Sequence, residues 1–356
     1  MAIRVVVVGA GIIGGSIAWR LSQRGAAVTL VDASLMGGEA SSAGAGMLAT
    51  GGEVVSAHGW RQMALESRAL YPSYVAELAE KSGCAIDFRV CGAVELAGNP
   101  QEWRDLEVRV AAQRGIGIQS EALTIDQACE LIPGLDAGSM IGARLFPGDA
   151  VVDPRDIMAA LRIACLAHRV QILEHCPVNK LRIGKETVQV STAQQLLEAD
   201  AAVLSSGAWS GDVEVFGEDG PIPTPVSFPV RGHLKAYRAT PGRLGPILRH
   251  EHTYLLQRGN GLLIAGTSEE RVGFDRSIDP EIVAGIHRRA CRLLPDLTVI
   301  PADLAWTGFR PAVEDLEPRL GRLGTTNLWL AYGHYRNGIL LAPATADRIS
   351  GQILSS

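Results

Sequence analysis

The start of the chain alternates between short apolar runs and glycines in a way that predicts two strands with a helix between them. Val5–Val8 is a run of β-branched residues bounded by a glycine, which is typical of a strand buried on both faces of a parallel sheet. Apolar residues at helical spacing predict a helix over Ser16–Arg24, with Gly25 as its C-cap. A second apolar run, Ala27–Val31, ends at Asp32. The pattern therefore predicts a βαβ unit.

Three glycines occupy the turn between the first strand and the helix. Gly9, Gly11 and Gly14 form the pattern G-x-G-x-x-G, and Asp32 follows the last of them by 18 residues. The first glycine permits the tight turn, the second lets the backbone approach a pyrophosphate, and the third lets the helix pack on the strand. An acid at the end of the second strand can accept a hydrogen bond from a ribose hydroxyl. The unit therefore predicts a dinucleotide site and leaves NAD and FAD both open.

Hydrophobic spacing in the rest of the chain predicts further helices and many short strands. The predicted helices are Ala57–Gly83, Trp103–Gly115, Ile125–Leu131, Ile157–His168, Pro280–Leu294 and one that runs through Leu341 and Ala346. The predicted strands are Phe88–Leu96, Gly142–Phe146, Val170–Glu174, a hairpin of Lys180–Ile183 and Thr187–Ser191, Ala201–Leu204, Gly232–Tyr237, Thr253–Gln257, Leu262–Ala265 and Leu328–Tyr332. After residue 223 the strands resemble a meander rather than more βαβ units.

A chain of 356 residues exceeds the usual size of one hydrophobic core, so two domains are expected. The order of the elements predicts a nucleotide domain that is interrupted twice by a β-rich substrate domain. We assign residues 1–83, 148–222 and 305–356 to the nucleotide domain, and residues 84–147 and 223–304 to the substrate domain. The proline-rich stretch Gly217–Val230 is the clearest crossing between the two.

Charge and cysteine content narrow the function classes. The net charge of −5 offers no basic excess to neutralise phosphates, which argues against a nucleic-acid partner and favours a small ligand. The six cysteines show no C-x-x-C spacing, which favours a reducing compartment and argues against a structural metal site. No run of about 18 apolar residues predicts a membrane span. We therefore expect a soluble, cytoplasmic protein with no membrane partner.

Seven segments spread over the chain carry a family resemblance. They are GAGIIGGSIAW (residues 9–19, with Asp32), ASSAGAGMLA (40–49), VVDPRDIMAAL (151–161), SSGAWS (205–210), YLLQRGNGLLIAGTSEERVGFD (254–275), GFRPAVEDLEPRLGR (308–322) and GHYRNGILLAPATA (333–346). Together they resemble the D-amino-acid oxidase superfamily of flavoproteins, and within it the ThiO-type glycine oxidases. The resemblance implies an α/β fold: a Rossmann-like FAD-binding domain of glutathione-reductase type, plus an α+β substrate domain with a mainly antiparallel sheet.

The resemblance also implies which residues bind FAD. They are Gly9, Gly11, Ile12, Ile13, Gly14, Asp32, Ala33, Ser41, Ser42, Ala43, Gly46, Met47, Leu48, Val178, Ser206, Gly207, Trp209, Arg310, His334, Tyr335, Arg336, Asn337, Gly338 and Ile339. Main-chain amides such as those of Ser42, Ala43, Gly46 and Met47 are expected to approach the pyrophosphate and the flavin edge; a flexible loop is the alternative. No cysteine follows Cys291, so non-covalent FAD is expected.

Substrate recognition by the same resemblance falls to three catalytic residues. Arg310, in the G-F-R-P motif, is expected to bind a substrate carboxylate bidentately, and Tyr254 to donate its hydroxyl to that carboxylate. Arg336 is expected at the mouth of the active site or beside the flavin. The alternative for Arg310 is a structural ion pair with Asp315 or Glu317.

Two histidines, His233 and His252, fall on predicted substrate-domain strands. A histidine in such a place is more often a structural residue than a base.

The activity that the resemblance implies is oxidation of glycine, sarcosine or a small D-amino acid to the imine. Dioxygen would be reduced to hydrogen peroxide, and glyoxylate and ammonia would be released, or the imine passed to a thiazole synthase for thiamine. A homo-oligomer is expected. The alternatives are a D-amino-acid dehydrogenase with another electron acceptor and a non-catalytic flavin-binding regulator.

Overall fold

A computed structural model describes residues 2–53, 59–302 and 304–356. In these ranges the α-helices are α1 (Ile12–Gln23), α2 (Ala40–Ala43), α3 (Thr50–Glu53), α4 (Trp60–Ser82), α5 (Pro100–Arg114), α6 (Ile125–Leu131), α7 (Pro154–Ala167), α8 (Pro280–Leu293) and α9 (Gly338–Leu354). Two 3₁₀ helices span Gly207–Asp212 and Pro295–Thr298. No helix among the described residues is long and apolar enough to cross a membrane.

Short strands make up most of the remaining regular structure. They are β1 (Arg4–Val8), β2 (Ala27–Val31), β3 (Met47–Leu48), β4 (Phe88–Arg89), β5 (Ala93–Ala97), β6 (Glu121–Leu123), β7 (Gly142–Phe146), β8 (Ala150–Val152), β9 (Gln171–Leu173), β10 (Val178–Ile183), β11 (Val188–Thr192), β12 (Leu196–Ala199), β13 (Ala201–Leu204), β14 (Glu214–Gly217), β15 (Gly220–Pro221), β16 (Phe228–Arg238), β17 (Ile247–His250), β18 (Thr253–Gln257), β19 (Leu262–Gly266), β20 (Leu304–Ala312), β21 (Arg319–Arg322) and β22 (Leu328–Tyr332).

The predicted βαβ unit is confirmed and lies at the centre of a six-stranded sheet. The strand order is β21-β22-β13-β1-β2-β9, and every neighbouring pair is parallel except β21 with β22. Helix α1 starts at Ile12, earlier than expected, because the helix follows directly on the glycine turn. Its C-cap is Arg24 rather than Gly25, and Gly25 comes next with a φ of +90°, where a side chain would be strained.

Strand β1 is buried on both faces, as its four valines predicted. Val5 and Val7 pack into a core that also contains residues of α1, α4, α7 and α9. Val6 and Val8 pack into a second core formed with the sheet of order β12-β11-β10-β14-β15. Helices therefore cover one face of the parallel sheet and a second sheet covers the other, which leaves the ends of the strands as the accessible edge.

The substrate side is an eight-stranded sheet of order β20-β16-β19-β18-β17-β5-β7-β6. Its strands are antiparallel apart from the β17 and β5 pair, so the predicted second sheet is confirmed as mixed and mostly antiparallel. Strand β20 pairs with β16 from Phe228 with Ala312 to Ala236 with Leu304. The domain limits stay a prediction. Strand β20 lies across the limit predicted at residue 305, because its pairing with β16 holds it in the substrate sheet.

Several boundaries differ from the predicted ones for local reasons. The expected strand Phe88–Leu96 is divided into β4 and β5, since Gly92 between them has a φ of +73°. Helix α5 starts at Pro100 rather than Trp103, because the Asn99 side chain accepts hydrogen bonds from the first-turn amides. The hairpin of β10 with β11 is confirmed. Of the helix expected over residues 57–83, positions 57 and 58 lie outside the described residues.

Candidate active site

A cleft of about 560 Å³ opens where the carboxyl ends of the parallel strands face β16 and β20. This edge of an open α/β sheet is where such folds bind ligands. Most residues expected at the cofactor or substrate line it: Gly9, Gly11, Ile12, Ile13, Asp32, Ala33, Ser41, Ala43, Gly46, Met47, Val178, Ser206, Gly207, Trp209, Tyr254, Arg310, His334, Tyr335, Arg336, Asn337, Gly338 and Ile339. The fold thus brings together segments that lie far apart along the chain.

The glycine turn has the close contacts that its pattern predicted. A Cβ on Gly14 would lie 1.8 Å from the Gly9 carbonyl oxygen, and one on Gly9 would lie 2.4 Å from the Ser205 carbonyl oxygen. Gly14 therefore serves the packing of helix on strand and does not line the cleft. Asp32 accepts hydrogen bonds from the amides of Ala10 (2.6 Å) and Ser34 (2.8 Å), which fixes its carboxylate at the edge of the cleft.

The segment after Glu39 corrects part of the expectation for main-chain amides. It forms the short helix α2, in which the amide of Ser42 donates to the carbonyls of Gly37 and Glu39, and that of Ala43 to Glu39. Neither amide is available to a pyrophosphate. Ser42 lies outside the cleft lining, and so does the fully buried Leu48, which packs into the helical core.

Ser41 acts through its side chain at the start of α1. Its hydroxyl oxygen accepts a hydrogen bond of 2.8 Å from the amide of Ile12. A Cβ on Gly11 would lie 3.1 Å from the same oxygen, so the second glycine of the motif leaves room for the contact. Ser41 therefore satisfies one of the free amides of the helix N-terminus, which is where an anion of a dinucleotide would otherwise bind.

The C-terminal motif places a second helix N-terminus at the cleft. Gly338 and Ile339 line the cleft at the start of α9, and the side chain of Asn337 does not cap that helix. The first amides of a helix have no acceptor within it, so this end offers donors to a bound group. His334 is fully buried, with Nε2 3.2 Å from Thr345 Oγ1, and burial lowers its pKa to about 3. This histidine is therefore neutral at physiological pH.

Arg310 lies on β20 with its guanidinium at the cleft and is held by neutral oxygens. Its Nη1 donates to the Ser268 carbonyl (3.0 Å) and its Nη2 to Thr267 Oγ1 (2.7 Å). A Cβ on Gly232 of β16 would lie 2.4 Å from Nη1, so the missing side chain makes room for the guanidinium. Among the described residues no carboxylate pairs with Arg310.

The carboxylates expected to compete for Arg310 pair elsewhere. Asp315 binds Arg319 at 2.9 Å, and Glu317 binds Arg61 at 3.4 Å. The geometry thus favours a ligand-binding Arg310 over a structural ion pair. Three of its five N–H groups are not engaged by the contacts to Thr267 and Ser268, which is enough for a bidentate carboxylate.

Two further residues expected at the substrate line the same cleft. A Cβ on Gly266 would lie 2.5 Å from the Tyr254 hydroxyl oxygen, so the glycine admits the ring. Arg336 donates from Nη1 to Glu269 Oε1 at 3.1 Å. Its side chain is about one-third exposed, at 36%, which places it at the mouth of the cleft.

The two substrate-domain histidines considered in the sequence, His233 and His252, lie outside the cleft lining. His233 is fully buried, with Nδ1 2.9 Å from Glu270 and Nε2 accepting from the Asp279 amide at 3.0 Å. Both ring nitrogens are therefore occupied by structural partners. His252 is exposed in the turn between β17 and β18 rather than on a strand.

Sequence reasoning missed the residues that hold Arg310 and an ion pair at the cleft edge. Thr267 and Ser268 lie within the segment 254–275 that carries the family resemblance, but neither was predicted to be a site residue. Gly232 is the first residue of a predicted strand, but it lies inside β16, where a glycine signals close approach of another group. The pair of Arg276 with Glu39, at 2.8 Å, joins residues whose partners only the fold reveals.

Comparison with known proteins identifies the family. The family model described as DAO, FAD dependent oxidoreductase, matches residues 4–351. The chain belongs to this family. It is 35% identical over 344 residues to the glycine oxidase of Geobacillus kaustophilus (strain HTA426), an alignment that covers 96% of the chain and 90% of the relative. The crystal structure of glycine oxidase from Geobacillus kaustophilus superposes with a TM-score of 0.93 at 31% identity, covering 100% of this chain and 96% of that one.

A two-part protein is also similar. The bifunctional protein ThiO/ThiG of Synechocystis sp. (strain ATCC 27184 / PCC 6803 / Kazusa) is 34% identical over 367 residues, which cover 98% of the chain and 51% of that protein. The chain thus spans about half the length of this relative. These likenesses identify an FAD-dependent oxidoreductase that is glycine oxidase-like, and they favour an enzyme over a non-catalytic flavin-binding regulator.

The cleft fits the FAD that this family uses. The glycine turn provides a close backbone approach, Asp32 lies where a ribose hydroxyl is expected, and the uncapped start of α9 offers amide donors. The residues from Ser206 to Trp209 follow the carboxyl end of β13 and complete the wall of the cleft. The residues present therefore suit a dinucleotide that extends from Asp32 towards Arg310.

Proposed function

We propose that this protein oxidises glycine or a similarly small amine, such as sarcosine or a small D-amino acid, with dioxygen as the electron acceptor. The overall reaction with glycine would convert glycine, dioxygen and water into glyoxylate, ammonia and hydrogen peroxide. One observation carries the proposal: the Arg310 guanidinium faces the dinucleotide cleft with no carboxylate partner among the described residues. A buried or half-buried cation without a counter-ion is costly unless a ligand supplies the charge.

Arg310 would bind the substrate carboxylate through two parallel N–H donors, a geometry that lysine cannot supply. Tyr254 lines the same cleft and would donate its hydroxyl to that carboxylate. Together they would fix one end of a small amino acid, so that its α-carbon faces the cofactor. Orientation of this kind contributes to rate by removing the entropy of encounter.

FAD would be held by Gly11, Asp32 and Ser41 at one end and by the amides of Gly338 and Ile339 at the other. When bound, FAD supplies the two-electron acceptor. The buried His334 carries no charge at physiological pH, since burial lowers its pKa to about 3. His334, the histidine among the described cleft residues, therefore brings no charge to the site, and we infer that the protein's task is binding and orientation. Delivery of the imine to a thiazole synthase is part of the proposal and is supported by the likeness to a ThiO/ThiG protein.

Anaerobic titration of the purified protein with glycine, sarcosine and D-alanine tests the function. We expect glycine to bleach the oxidised flavin absorbance, and admission of air to restore it with formation of peroxide. Bleaching without recovery in air would indicate the dehydrogenase alternative. Absence of bleaching by all three amines would contradict the proposed substrate class.

Replacing Arg310 tests the residue on which the proposal depends. We expect R310A to lower kcat/KM for glycine by roughly a hundredfold or more, since charge-assisted hydrogen bonds to the carboxylate are lost. R310K should recover only part of this loss, and FAD content should stay unchanged in both variants. Wild-type turnover by R310A would contradict the assignment.

A further inference from the structure

Three arginines line the cleft, and they differ in how their charge is balanced. Arg276 forms two hydrogen bonds with Glu39, of 3.1 and 2.8 Å, and Arg336 donates to Glu269 at 3.1 Å. Arg310 is held by neutral oxygens, and no carboxylate among the described residues pairs with it. Within the described part of the chain, the cleft therefore presents one cation without a carboxylate partner, Arg310, and two cations that pair with carboxylates.

Glu269 lies close to the proposed carboxylate site through Tyr335. Strands β21 and β22 separate Tyr335 from Arg310 along the chain, but the Tyr335 amide donates to the carbonyl of Pro311, the neighbour of Arg310, at 2.9 Å. Glu269 itself follows Ser268, whose carbonyl accepts from Arg310 Nη1 at 3.0 Å. Burial raises the pKa of the Tyr335 hydroxyl, the Glu269 carboxylate raises it further, and Arg310 and Arg336 lower it. The charges of Glu269, Arg310 and Arg336 therefore all reach the Tyr335 hydroxyl at the mouth of the cleft.

A ligand with a second carboxylate would meet an unfavourable mouth. With one carboxylate on Arg310, a second carboxylate that approached Arg336 would compete with Glu269, whose like charge repels it. A ligand with one carboxylate and an uncharged remainder avoids this conflict. Rejection by an unfavourable charge is a common source of specificity.

We propose that Glu269 is a specificity-determining residue, which neutralises Arg336 and so restricts the cleft to amines that carry a single carboxylate. This inference rests on the proposed function, because it assumes that Arg310 binds the substrate carboxylate. It goes further by naming a residue that selects against dicarboxylic amines of the iminodiacetate type.

Binding of two unreactive ether acids to the FAD-loaded protein tests the inference without turnover. Methoxyacetate has the shape of sarcosine with one carboxylate, and diglycolate has the shape of iminodiacetate with two. Their affinities can be followed by the change in flavin absorbance. In the wild type we expect methoxyacetate to bind more tightly. In E269Q the affinity ratio of diglycolate to methoxyacetate should rise roughly tenfold, about the effect of one added charge-assisted hydrogen bond.

Two controls separate this effect from a general change of charge or stability. E66Q removes a carboxylate of similar exposure, 46% against 44%, from its pair with Arg348, and it should leave the ratio unchanged. The double variant E269Q/R336Q should lose the gain, because Arg336 would provide the new contact. The ratio of kcat/KM for iminodiacetate to kcat/KM for sarcosine should likewise rise in E269Q and stay unchanged in E66Q and in the double variant.

An unchanged ratio in E269Q, or an equal rise in E66Q or in the double variant, would overturn the inference. So would failure of methoxyacetate to bind the wild type, since the single-carboxylate site would then be wrong. Lack of glycine and sarcosine turnover by the wild type is a different result. It would contradict the proposed function and leave the affinity ratio to decide the role of Glu269.

Discussion

At the scale of single residues, the site depends on positions where a side chain is missing. Gly232 leaves the space that the Arg310 guanidinium fills, and Gly266 leaves the space for the Tyr254 ring. A glycine in a strand weakens the strand slightly and is kept where another group must approach closely. The proposed carboxylate site is thus determined as much by these absent side chains as by the arginine.

Gly232 gives a direct test of this view. In G232A the new Cβ would lie 2.4 Å from Arg310 Nη1, so the guanidinium must move. We expect the KM for glycine to rise roughly tenfold, because Arg310 would lose its alignment with the carboxylate. Steady-state kinetics and FAD content measure the effect. G245A is the matched control, since a Cβ there meets nothing within 4 Å; an equal rise in both variants would contradict the argument.

His334 gives a pH-dependent prediction. Its pKa is about 3 in the folded protein against 6.5 ordinarily, so the unfolded chain takes up a proton that the folded chain does not. The stability from neutral His334 is therefore complete above pH 6.5 and is lost as the pH falls towards 3. By pH 5 the loss should reach about 2 kcal/mol.

Thermal unfolding of the wild type and of H334Q at pH 7 and pH 5 measures this loss. The wild type should lose more of its Tm than the variant does, because glutamine takes up no proton. Equal losses would show that His334 already binds a proton in the folded state, or that it is not buried as described.

At the scale of elements, a charge cluster around the buried Arg231 fixes the segment that holds Arg310. Arg231 of β16 binds Glu270 through two donors to Oε2, with Nε at 3.1 Å, and the Ser268 hydroxyl donates to Oε1 of the same carboxylate at 2.6 Å. Arg231 also binds Asp275 at 2.7 Å. These contacts tie the segment after β19 to β16 from the side opposite Arg310.

Removing the charge of Glu270 should therefore destabilise the fold. Within the part of the chain that the structure describes, E270Q leaves the buried Arg231 with Asp275 as its remaining carboxylate, and breaking a buried pair costs about 3 kcal/mol or more. We expect this loss in the free energy of unfolding measured in urea. E66Q, which breaks an exposed pair, should cost less than about 1 kcal/mol. Similar losses would show that the cluster is not buried in solution.

At the scale of the whole molecule, the cofactor should be bound without a covalent bond. Of the six cysteines, Cys176 lines the cleft, and its amide donates to the Asp32 carbonyl at 2.8 Å. It therefore lies at the end where the adenosine ribose is expected, far along the cofactor from the flavin ring. Cys291 belongs to α8, whose residues do not line the cleft.

Acid precipitation tests this prediction. All flavin should appear in the supernatant and none in the pellet, and its mobility should be that of FAD. Added FAD should raise the Tm of the apoprotein in a concentration-dependent way, as for any ligand that binds only the folded state. Flavin retained in the pellet of the wild type and lost in C176S would contradict it. The expected homo-oligomer also stays a prediction, which light scattering can decide.

The sequence by itself determined the local elements and the cofactor end of the site. The run of valines, the spacing of Gly9, Gly11 and Gly14, and the position of Asp32 specify a βαβ unit, because strand, turn and helix depend on neighbouring residues. The family resemblance of seven segments added the predictions that the cofactor is FAD and that Arg310 binds the substrate. One local segment was an exception: helix α2 engages the amides of Ser42 and Ala43, which were predicted from the sequence to be available to the cofactor.

Only the tertiary structure decided which distant residues meet. The holding of Arg310 by Thr267 and Ser268, the space at Gly232 and the pair of Arg336 with Glu269 all join segments separated by long stretches of chain. Such contacts follow from the pairing of β16 with β20 and from the meeting of two sheets at one edge. No local pattern records them, because they arise from packing between elements rather than within them.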